Sequence, residues 1–264
     1  MVDRRFILYM DVLGARNLLN KEDLVTFIKY LTGNNRTFKH ELMGPDKEGI
    51  YTLATLEPEI SNFSDHIVAS YPSNKLIRPY TENHIKNDYI GSLIIIAAQI
   101  YRSALERGLL IRGALTEGML EHEGTSIIGE ALIEAVDIEE NIAIYPRVVI
   151  TEKLISLTKA PIDYRIITRD FDGVYFLNFF LHPIVIGVPS PQIMLEQFEK
   201  IKKIIESNII LLEEDKNKNF RKLIKWYWLA NNFDEALNYY QKENNEILKE
   251  SLLKIKKFNI RGGY

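Results

Sequence analysis

Two aspartates occupy positions that suggest a shared chemical role. Asp11 follows the apolar residues Phe6–Met10, and Asp65 lies in the segment SNFSDHIV. A carboxylate in an apolar strand is costly to bury without a partner. If a hairpin brings Asp65 beside the end of the first strand, the two carboxylates repel each other unless a cation lies between them or one is protonated. Mg²⁺ suits such a pair, because it binds few carboxylates and completes its shell with water and phosphate oxygens. The alternative is that Asp11 caps the following turn and Asp65 is a solvated turn residue.

Three further acids and two arginines are weaker candidates. Glu134, Asp137 and Glu140 are spaced along one face of a predicted helix. They could bind a metal, but a solvated acidic face is the favoured interpretation. Arg112 and Arg147, on predicted strands, could supply positive charge to a phosphate, or they could be solvated or paired with carboxylates.

The histidines show no spacing that is typical of a metal site. They are His40, His66, His84, His122 and His182. Because successive residues of a strand face opposite sides, His66 is predicted to point away from Asp65. The chain also contains no nucleophile elbow, P-loop or dinucleotide fingerprint, so the catalytic residues stay unassigned.

The elements that must position these residues are typical of an α+β fold. In chain order, the pattern predicts a strand (5–13), a helix (21–31), two paired strands (49–72, with Ser64 and Asp65 near the bend), a helix (87–108), a hairpin (109–129), a helix (130–143) and a strand (145–151). Two more strands are predicted around Asp172-Gly173. From Ser190-Pro191 onward the pattern predicts helix, because a serine cap followed by proline commonly begins one.

The stretch from 218 to 237, KNFRKLIKWYWLANNFDEAL, mixes bases and aromatics. Single-stranded nucleic acid binders use such mixtures for stacking and phosphate contacts. Phe220, Leu223, Ile224 and Tyr227 also share one helical face, and packing of that face against the palm is favoured over nucleic acid binding.

The composition is that of a globular protein. The chain has 264 residues, 46% hydrophobic residues, a formal net charge of −3 and no cysteine. The absence of cysteine excludes disulfides, thiolate zinc sites and cysteine nucleophiles. The N-terminal residues show no signal-peptide pattern, and the longest apolar run is too short for a membrane helix. We therefore expect a cytoplasmic protein without a membrane partner.

Five segments, in register, resemble the successive blocks of the class III adenylate and guanylate cyclase catalytic domain. They are FILYMDVLGA (6–15), FSDHIV (63–68), IRGALTEGML (111–120), GEALIEAVDIEE (129–140) and YPRVVIT (145–151). The resemblance implies a ferredoxin-like nucleotide cyclase palm of βααββαββαβ type, with a C-terminal helical extension. The implied activity is attack of a ribose 3′-oxygen on the α-phosphate of a nucleoside triphosphate, with release of pyrophosphate.

The resemblance also implies a set of site residues. Asp11 and Asp65 would hold Mg²⁺ or Mn²⁺, with the Val12 carbonyl as a further ligand. The turn that follows Asp11 would present backbone N–H groups to phosphate, and Arg16 could contact it as well. The residues of this phosphate-facing segment are Val12, Leu13, Gly14, Ala15 and Arg16.

The sequence departs from the family pattern at the positions that complete catalysis. Ile133 stands where the family places an asparagine that orients the ribose, and Asp137 stands where it places a transition-state arginine. Exchange of an arginine for an aspartate reverses the charge beside a polyphosphate. Ser61 and Ser126 replace the base-reading lysine and aspartate of adenylate cyclases, so ATP specificity is not carried over.

The sequence thus predicts a palm at residues 1–160 and, at residues 161–264, additional strands and a helical extension packed on it. The resemblance implies a homodimer, because cyclase palms pair head to tail. Three hypotheses remain open: a divergent nucleotidyl cyclase, an inactive nucleotide-binding palm, and an interaction module whose aspartates have no chemical role.

Overall fold

The computed structural model describes residues 2–13, 40–45, 51–73, 82–157, 165–186, 190–242 and 252–258. The chain divides into two compact units, Met1–Ile100 with Ile111–Leu177 and Tyr101–Leu110 with Asn178–Tyr264. The helix predicted at 21–31 lies outside the described residues. The predicted domain boundary at residue 160, and the packing of the extension on the palm, stay predictions.

Ten strands are described. In chain order they are β1 (Asp3–Leu13), β2 (His40–Pro45), β3 (Tyr51–Leu56), β4 (Glu59–Phe63), β5 (His66–Pro72), β6 (Leu110–Glu123), β7 (Ser126–Ile128), β8 (Val148–Ile150), β9 (Ile167–Arg169) and β10 (Tyr175–Leu177). The helices are α1 (Glu82–Leu105), α2 (Glu130–Asn141), α3 (Glu152–Leu157), α4 (Pro183–Ile186), α5 (Pro191–Glu213) and α6 (Lys216–Lys242), with a short 3₁₀ helix at Phe179–Leu181.

The main sheet is mixed and has β1 near its centre. Its strand order is β4-β5-β1-β6-β8-β10-β9, and β7 pairs with β6. β1 is antiparallel to β5, whereas β6 and β8 are parallel. Phe6–Met10 are buried on both faces of β1, as expected for a central strand with an almost continuous apolar run. The predicted α+β fold class is confirmed.

The segment from 49 to 72 differs from the prediction of two strands. It contains three strands, β3, β4 and β5. β3 pairs with β2 in a separate two-stranded sheet, and only β4 and β5 form the predicted hairpin. Pro58 lies between β3 and β4. Because proline has no N–H to donate to a strand ladder, it is a natural break between two strands.

Two glycines permit close backbone contacts that hold the centre of unit one together. A Cβ atom at Gly113 in β6 would lie 2.1 Å from the carbonyl oxygen of Tyr9 in β1. Gly129, just before α2, has φ of +149° and would place a Cβ atom 2.4 Å from the Met119 carbonyl oxygen. Both glycines belong to the five segments quoted above. At both positions a side chain would collide with the backbone of a neighbouring segment, so only glycine fits.

Helix α2 packs its small residues against the sheet. Ala131, Ala135 and Ile138 belong to a buried cluster that also contains Ile7 and Tyr9 of β1. The opposite face of α2 is exposed, and Ile133 is 64% exposed there. The helix therefore positions one acidic face toward solvent and one side against β1.

In the second unit, α5 and α6 pack against each other through aromatic contacts. Phe198 of α5 lies 5.3 Å from Phe233 and 5.9 Å from Tyr240 of α6, measured between ring centroids. Leu223 is buried as predicted, but Phe220 is 56% exposed. Phe220 is therefore not buried as the predicted apolar face requires, and the packing of that face against the palm stays a prediction. Among the described residues, no helix combines the length and the apolar character that crossing a membrane requires.

Candidate functional site

Asp11 and Asp65 come together at one edge of the main sheet. Asp11 lies near the end of β1, and Asp65 lies in the two-residue turn between β4 and β5. The Val12 backbone N–H donates to the Asp65 carbonyl oxygen over 3.2 Å and ties the turn to the strand. The predicted proximity of the two aspartates is confirmed. Their role as ligands, and that of the Val12 carbonyl, stay predictions.

The turn that carries Asp65 has an unfavourable backbone at its first residue. Ser64 has φ of +57°, in the left-handed region that favours glycine. Phe63 and His66 are the paired strand residues that flank the turn. A two-residue hairpin turn requires positive φ at its first central position, which explains the conformation. The turn places Asp65 immediately before β5.

His66 joins the two aspartates, contrary to the prediction that it points away. Asp11 and His66 are directly opposite each other in the register of β1 and β5. Cross-strand partners project to the same face of a sheet. Alternation along a strand does not apply to Asp65, because this residue belongs to the turn. Asp11, Asp65 and His66, here termed the Asp-Asp-His cluster, have ligand atoms within 4.8 Å of one another.

The His66 ring lies between the two carboxylates. Its Nδ1 is 3.5 Å from Asp11 Oδ1, and its Nε2 is 3.6 Å from Asp65 Oδ1. Tyr9 Oη lies 2.8 Å from Nδ1, and the two rings are stacked with centroids 5.4 Å apart. The ring orientation is therefore fixed by stacking and by a hydrogen bond.

Arg112 approaches Asp11 from the other side. Its Nε lies 3.3 Å from Asp11 Oδ2, and its guanidinium also forms an ion pair with the buried carboxylate of Glu139 in α2. Arg112 Nη1 donates to the Glu139 carbonyl oxygen over 3.2 Å. Of the predicted alternatives for Arg112, pairing with carboxylates is the one observed. Asp11 thus has one carboxylate oxygen facing the Arg112 guanidinium and the other facing His66.

Glu139 is a site neighbour that the sequence reasoning missed. Burial raises its pKa to about 7, and the negative charge of Asp11 acts in the same direction, whereas Arg112 opposes it. The signal was its helical phase, since Glu139 follows Ala131 and Ala135 at spacings of four on the buried face of α2. A carboxylate on the buried face of a helix indicates a positively charged or hydrogen-bonding partner in the core.

The phosphate-facing segment is described only in part. Val12 and Leu13 are the last residues of β1. Gly14, Ala15 and Arg16 lie outside the described residues, so their predicted contact with phosphate stays a prediction.

The acidic face of α2 is arranged as a solvated surface. Glu134 pairs with Lys153 and accepts from Thr116 Oγ1 over 3.0 Å. Asp137 and Glu140 are exposed. Across the described part of the chain, the Asp-Asp-His cluster is the one group with metal-ligand geometry, and no member comes from α2. Ile133 has no amide group and Asp137 has no positive charge, so these two side chains supply neither of the groups that the cyclase pattern places at their positions.

Ser61 belongs to a buried hydrogen-bonded chain. Arg5 Nε donates to Ser70 Oγ over 2.9 Å, and His122 connects Ser70 with Ser61 through contacts of 2.8 Å at Nδ1 and Nε2. Ser61 Oγ in turn contacts the Gly124 carbonyl oxygen. Burial lowers the pKa of His122 to about 4, so the ring is neutral. If Arg5 donates to Ser70 and Ser70 donates to His122, Nδ1 of His122 accepts and its Nε2 donates to Ser61. Each contact in this row of hydrogen bonds then has one donor and one acceptor.

Arg147 is held by two carboxylates and a backbone carbonyl oxygen. Its guanidinium is buried, donates to the Ile142 carbonyl oxygen over 2.9 Å and forms ion pairs with Asp170 and Asp172. These acids belong to the turn between β9 and β10. Arg147 therefore ties that turn to the end of α2, and of the predicted alternatives carboxylate pairing is observed.

No family model matches the chain, and no curated protein matches it. Several solved structures are similar. The adenylyl cyclase CyaB from P. aeruginosa is 13% identical, with 67% of this chain and 92% of that chain covered and a TM-score of 0.40. The catalytic core of a rhodopsin-guanylyl cyclase with converted specificity, in complex with ATPalphaS, is 10% identical, with 67% and 96% covered and a TM-score of 0.39.

A third similar structure is a bacterial light-regulated adenylyl cyclase. It is 11% identical, and the match covers 77% of this chain and 57% of that chain with a TM-score of 0.41. All three are nucleotide cyclases.

Proposed function

We propose that this protein binds a nucleoside triphosphate together with Mg²⁺ or Mn²⁺ held by Asp11 and Asp65, and that it forms a cyclic nucleotide and pyrophosphate. The observation that supports the proposal is the meeting of these two carboxylates, distant in sequence, at one sheet edge. The sequence blocks that carry them resemble nucleotide cyclases. A pair of carboxylates with water and phosphate oxygens is a donor set that suits Mg²⁺ and Mn²⁺.

The residues around the pair have distinct tasks. Arg112 binds Asp11 Oδ2 and leaves Oδ1 on the side of Asp65 and His66. The hydrogen bond from Val12 N–H to the Asp65 carbonyl oxygen holds the turn at a fixed distance from β1. Cations bound there would activate the ribose 3′-hydroxyl and neutralise triphosphate charge. In the reaction, the bond from the 3′-oxygen to the α-phosphorus forms, the bond to pyrophosphate breaks, and the hydroxyl proton passes to solvent.

A second candidate is a nucleotide-binding homodimer without turnover. In the dimer implied by the sequence resemblance, α2 of one subunit faces the aspartates of the other. Ile133 and Asp137 would then stand beside the nucleotide, and an aspartate there would oppose the build-up of negative charge in the transition state. The exposed positions of both side chains favour this candidate.

Incubation of the purified protein with each of the four ribonucleoside triphosphates and Mg²⁺ or Mn²⁺, followed by mass spectrometry, tests the proposal. We expect a cyclic nucleotide and pyrophosphate, absent with Asp65→Asn. The matched control is Glu123→Gln, which alters an exposed acid beside another hairpin turn, between β6 and β7. Metal-dependent nucleotide binding without product would support the second candidate. Absence of any metal-dependent binding would overturn both.

A further inference from the structure

We propose that His66 is a third protein ligand of the cation site and that it makes the site prefer Mn²⁺ to Mg²⁺. The inference rests on the proposed function, because it takes Asp11 and Asp65 as the other ligands. It goes beyond that function by adding a nitrogen donor to a site otherwise built from oxygen. It also chooses between the two cations.

The first support is distance. His66 Nε2 lies 3.6 Å from Asp65 Oδ1. Two ligands that each lie about 2.1 Å from one cation can be separated by at most about 4.2 Å. The two atoms are therefore close enough to share one ion without rearrangement of the backbone.

The second support is the orientation of the imidazole ring. Nδ1 has two oxygen atoms in its vicinity, Tyr9 Oη at 2.8 Å and Asp11 Oδ1 at 3.5 Å. The Tyr9 hydroxyl oxygen can accept a proton from Nδ1–H, and that tautomer leaves the lone pair of Nε2 on the side of Asp65. Histidines that bind metals commonly donate their other ring N–H to an oxygen in this way, which fixes the tautomer and the ring.

The third support is the way in which the fold holds the ring in place. Stacking on Tyr9 and the contact with Phe63, with ring centroids 5.4 Å apart in each case, hold the ring from two neighbouring strands. The cross-strand register with Asp11 fixes its position along β5. A side chain held by so many contacts loses little conformational freedom when it binds an ion.

The metal preference follows from the donor atoms. Mg²⁺ prefers oxygen ligands and gives up water reluctantly, so an imidazole adds little to its binding. First-row transition metals bind imidazole more readily, and Mn²⁺ also accepts carboxylates and phosphate. We therefore expect loss of the His66 imidazole to weaken Mn²⁺ binding about tenfold or more, and to change Mg²⁺ binding by less than about threefold.

Electron spin echo envelope modulation of Mn²⁺ added alone to the unsubstituted protein tests the inference directly. Couplings from a histidine nitrogen are expected, and they should change when the unsubstituted protein is labelled with ¹⁵N-histidine. This comparison requires no variant, so it does not depend on whether a substitution folds. The couplings should disappear in His66→Gln and persist in His122→Gln, which alters a histidine already hydrogen-bonded within the same sheet.

The outcomes separate this inference from the proposed function. Suppose that Mn²⁺ binds to the unsubstituted protein but not to Asp65→Asn, and that no nitrogen coupling is seen. This result would overturn the role of His66 and leave the aspartate site intact. A coupling that persists in His66→Gln would also overturn that role. Failure of Mn²⁺ to bind the unsubstituted protein would overturn this inference, whereas the incubation with nucleotide and Mg²⁺ tests the proposed function separately. Calorimetric titration with Mg²⁺ and with Mn²⁺ checks the metal preference, and equal losses of both in His66→Gln would contradict it.

Discussion

At the scale of the residue, Ser64 is the one non-glycine with positive φ among the residues that the structure describes, and it lies beside Asp65. Its φ of +57° favours glycine, and an L-residue in this region costs about 1–2 kcal/mol. Glycine removes that cost but adds about 0.5–1 kcal/mol of backbone entropy. We expect Ser64→Gly to raise the free energy of unfolding by up to about 1.5 kcal/mol in urea titrations. Ser126→Gly, in the regular strand β7, is the control and should lower it. A loss of stability in Ser64→Gly would contradict this reading of the turn.

His122 predicts a pH dependence of stability. Burial lowers its pKa from 6.5 to about 4 in the folded protein. Between these values the unfolded chain binds a proton that the folded chain does not, so the contribution of His122 to stability is complete above about pH 6.5 and is lost as the pH falls toward 4.

The measurement is the free energy of unfolding in urea at a series of pH values between these limits. His122→Gln should show a shallower decrease than the unsubstituted protein, because glutamine does not titrate. Parallel curves for the two proteins would show that His122 is not the group responsible.

Single residues also mark the limits of the sequence reasoning. Asp11 stands out because a carboxylate in an apolar strand is unusual, and Asp65 because a hairpin bend could bring it beside that strand. Their meeting is confirmed. His66 was misjudged because its direction depends on where the turn ends and on strand register, which the sequence pattern does not give. The ion pairs of Arg112 with Asp11 and Glu139 join residues far apart in the chain, and no local pattern predicts them.

At the scale of the element, the site depends on the close approach of β1 and β6. Gly113→Ala would place a methyl group 2.1 Å from the Tyr9 carbonyl oxygen, a contact that requires the two strands to separate. We expect it to lower the free energy of unfolding by about 3 kcal/mol. It should also weaken metal binding, because Asp11 lies two residues beyond Tyr9.

The matched control is Gly91→Ala in α1, where an added Cβ atom meets nothing within 4 Å. This substitution should raise stability by about 0.5–1 kcal/mol, because alanine is the better helix former. Urea unfolding of both variants checks the contrast. Equal effects of the two would contradict the assigned role of Gly113.

The element order was predictable because strands and helices have distinct periodicities of apolar residues. β1, the hairpin of β4 and β5, α2 and β8 follow that pattern closely. The pairing of β3 with β2 was not predicted, since a strand pattern does not identify its partner. The exposure of Phe220 was missed for a related reason, because helical phase alone does not show where contact with a neighbouring helix ends.

At the scale of the whole molecule, the proposed dimer makes the charge on α2 important. If α2 of one subunit faces the nucleotide of the other, Asp137→Arg restores the cation of the cyclase pattern. We expect turnover or nucleotide affinity to rise about tenfold, equivalent to about 1.4 kcal/mol. Mass spectrometry of product and calorimetry with nucleotide measure the two effects.

Glu140→Arg is the matched control, because it makes the same charge change at an exposed position three residues further along α2. It should give no gain. A mixture of unsubstituted chains with Asp65→Asn/Asp137→Arg chains should show the gain in mixed dimers, whose one intact site combines Asp65 of the unsubstituted subunit with the arginine introduced at position 137 of the other, whereas the double variant alone should be inactive. Equal gains from both arginine variants would indicate a general charge effect and contradict this arrangement.

The hydrogen bond from Val12 to Asp65 makes the main-chain amide of Val12 a reporter of the site. This N–H leaves its partner only when the end of β1 separates from the turn. Its exchange with deuterium therefore measures the free energy of that local opening. An ion that bridges Asp11 and Asp65 binds only the closed form, so increasing cation concentration should slow the exchange of this one amide in proportion to occupancy of the site.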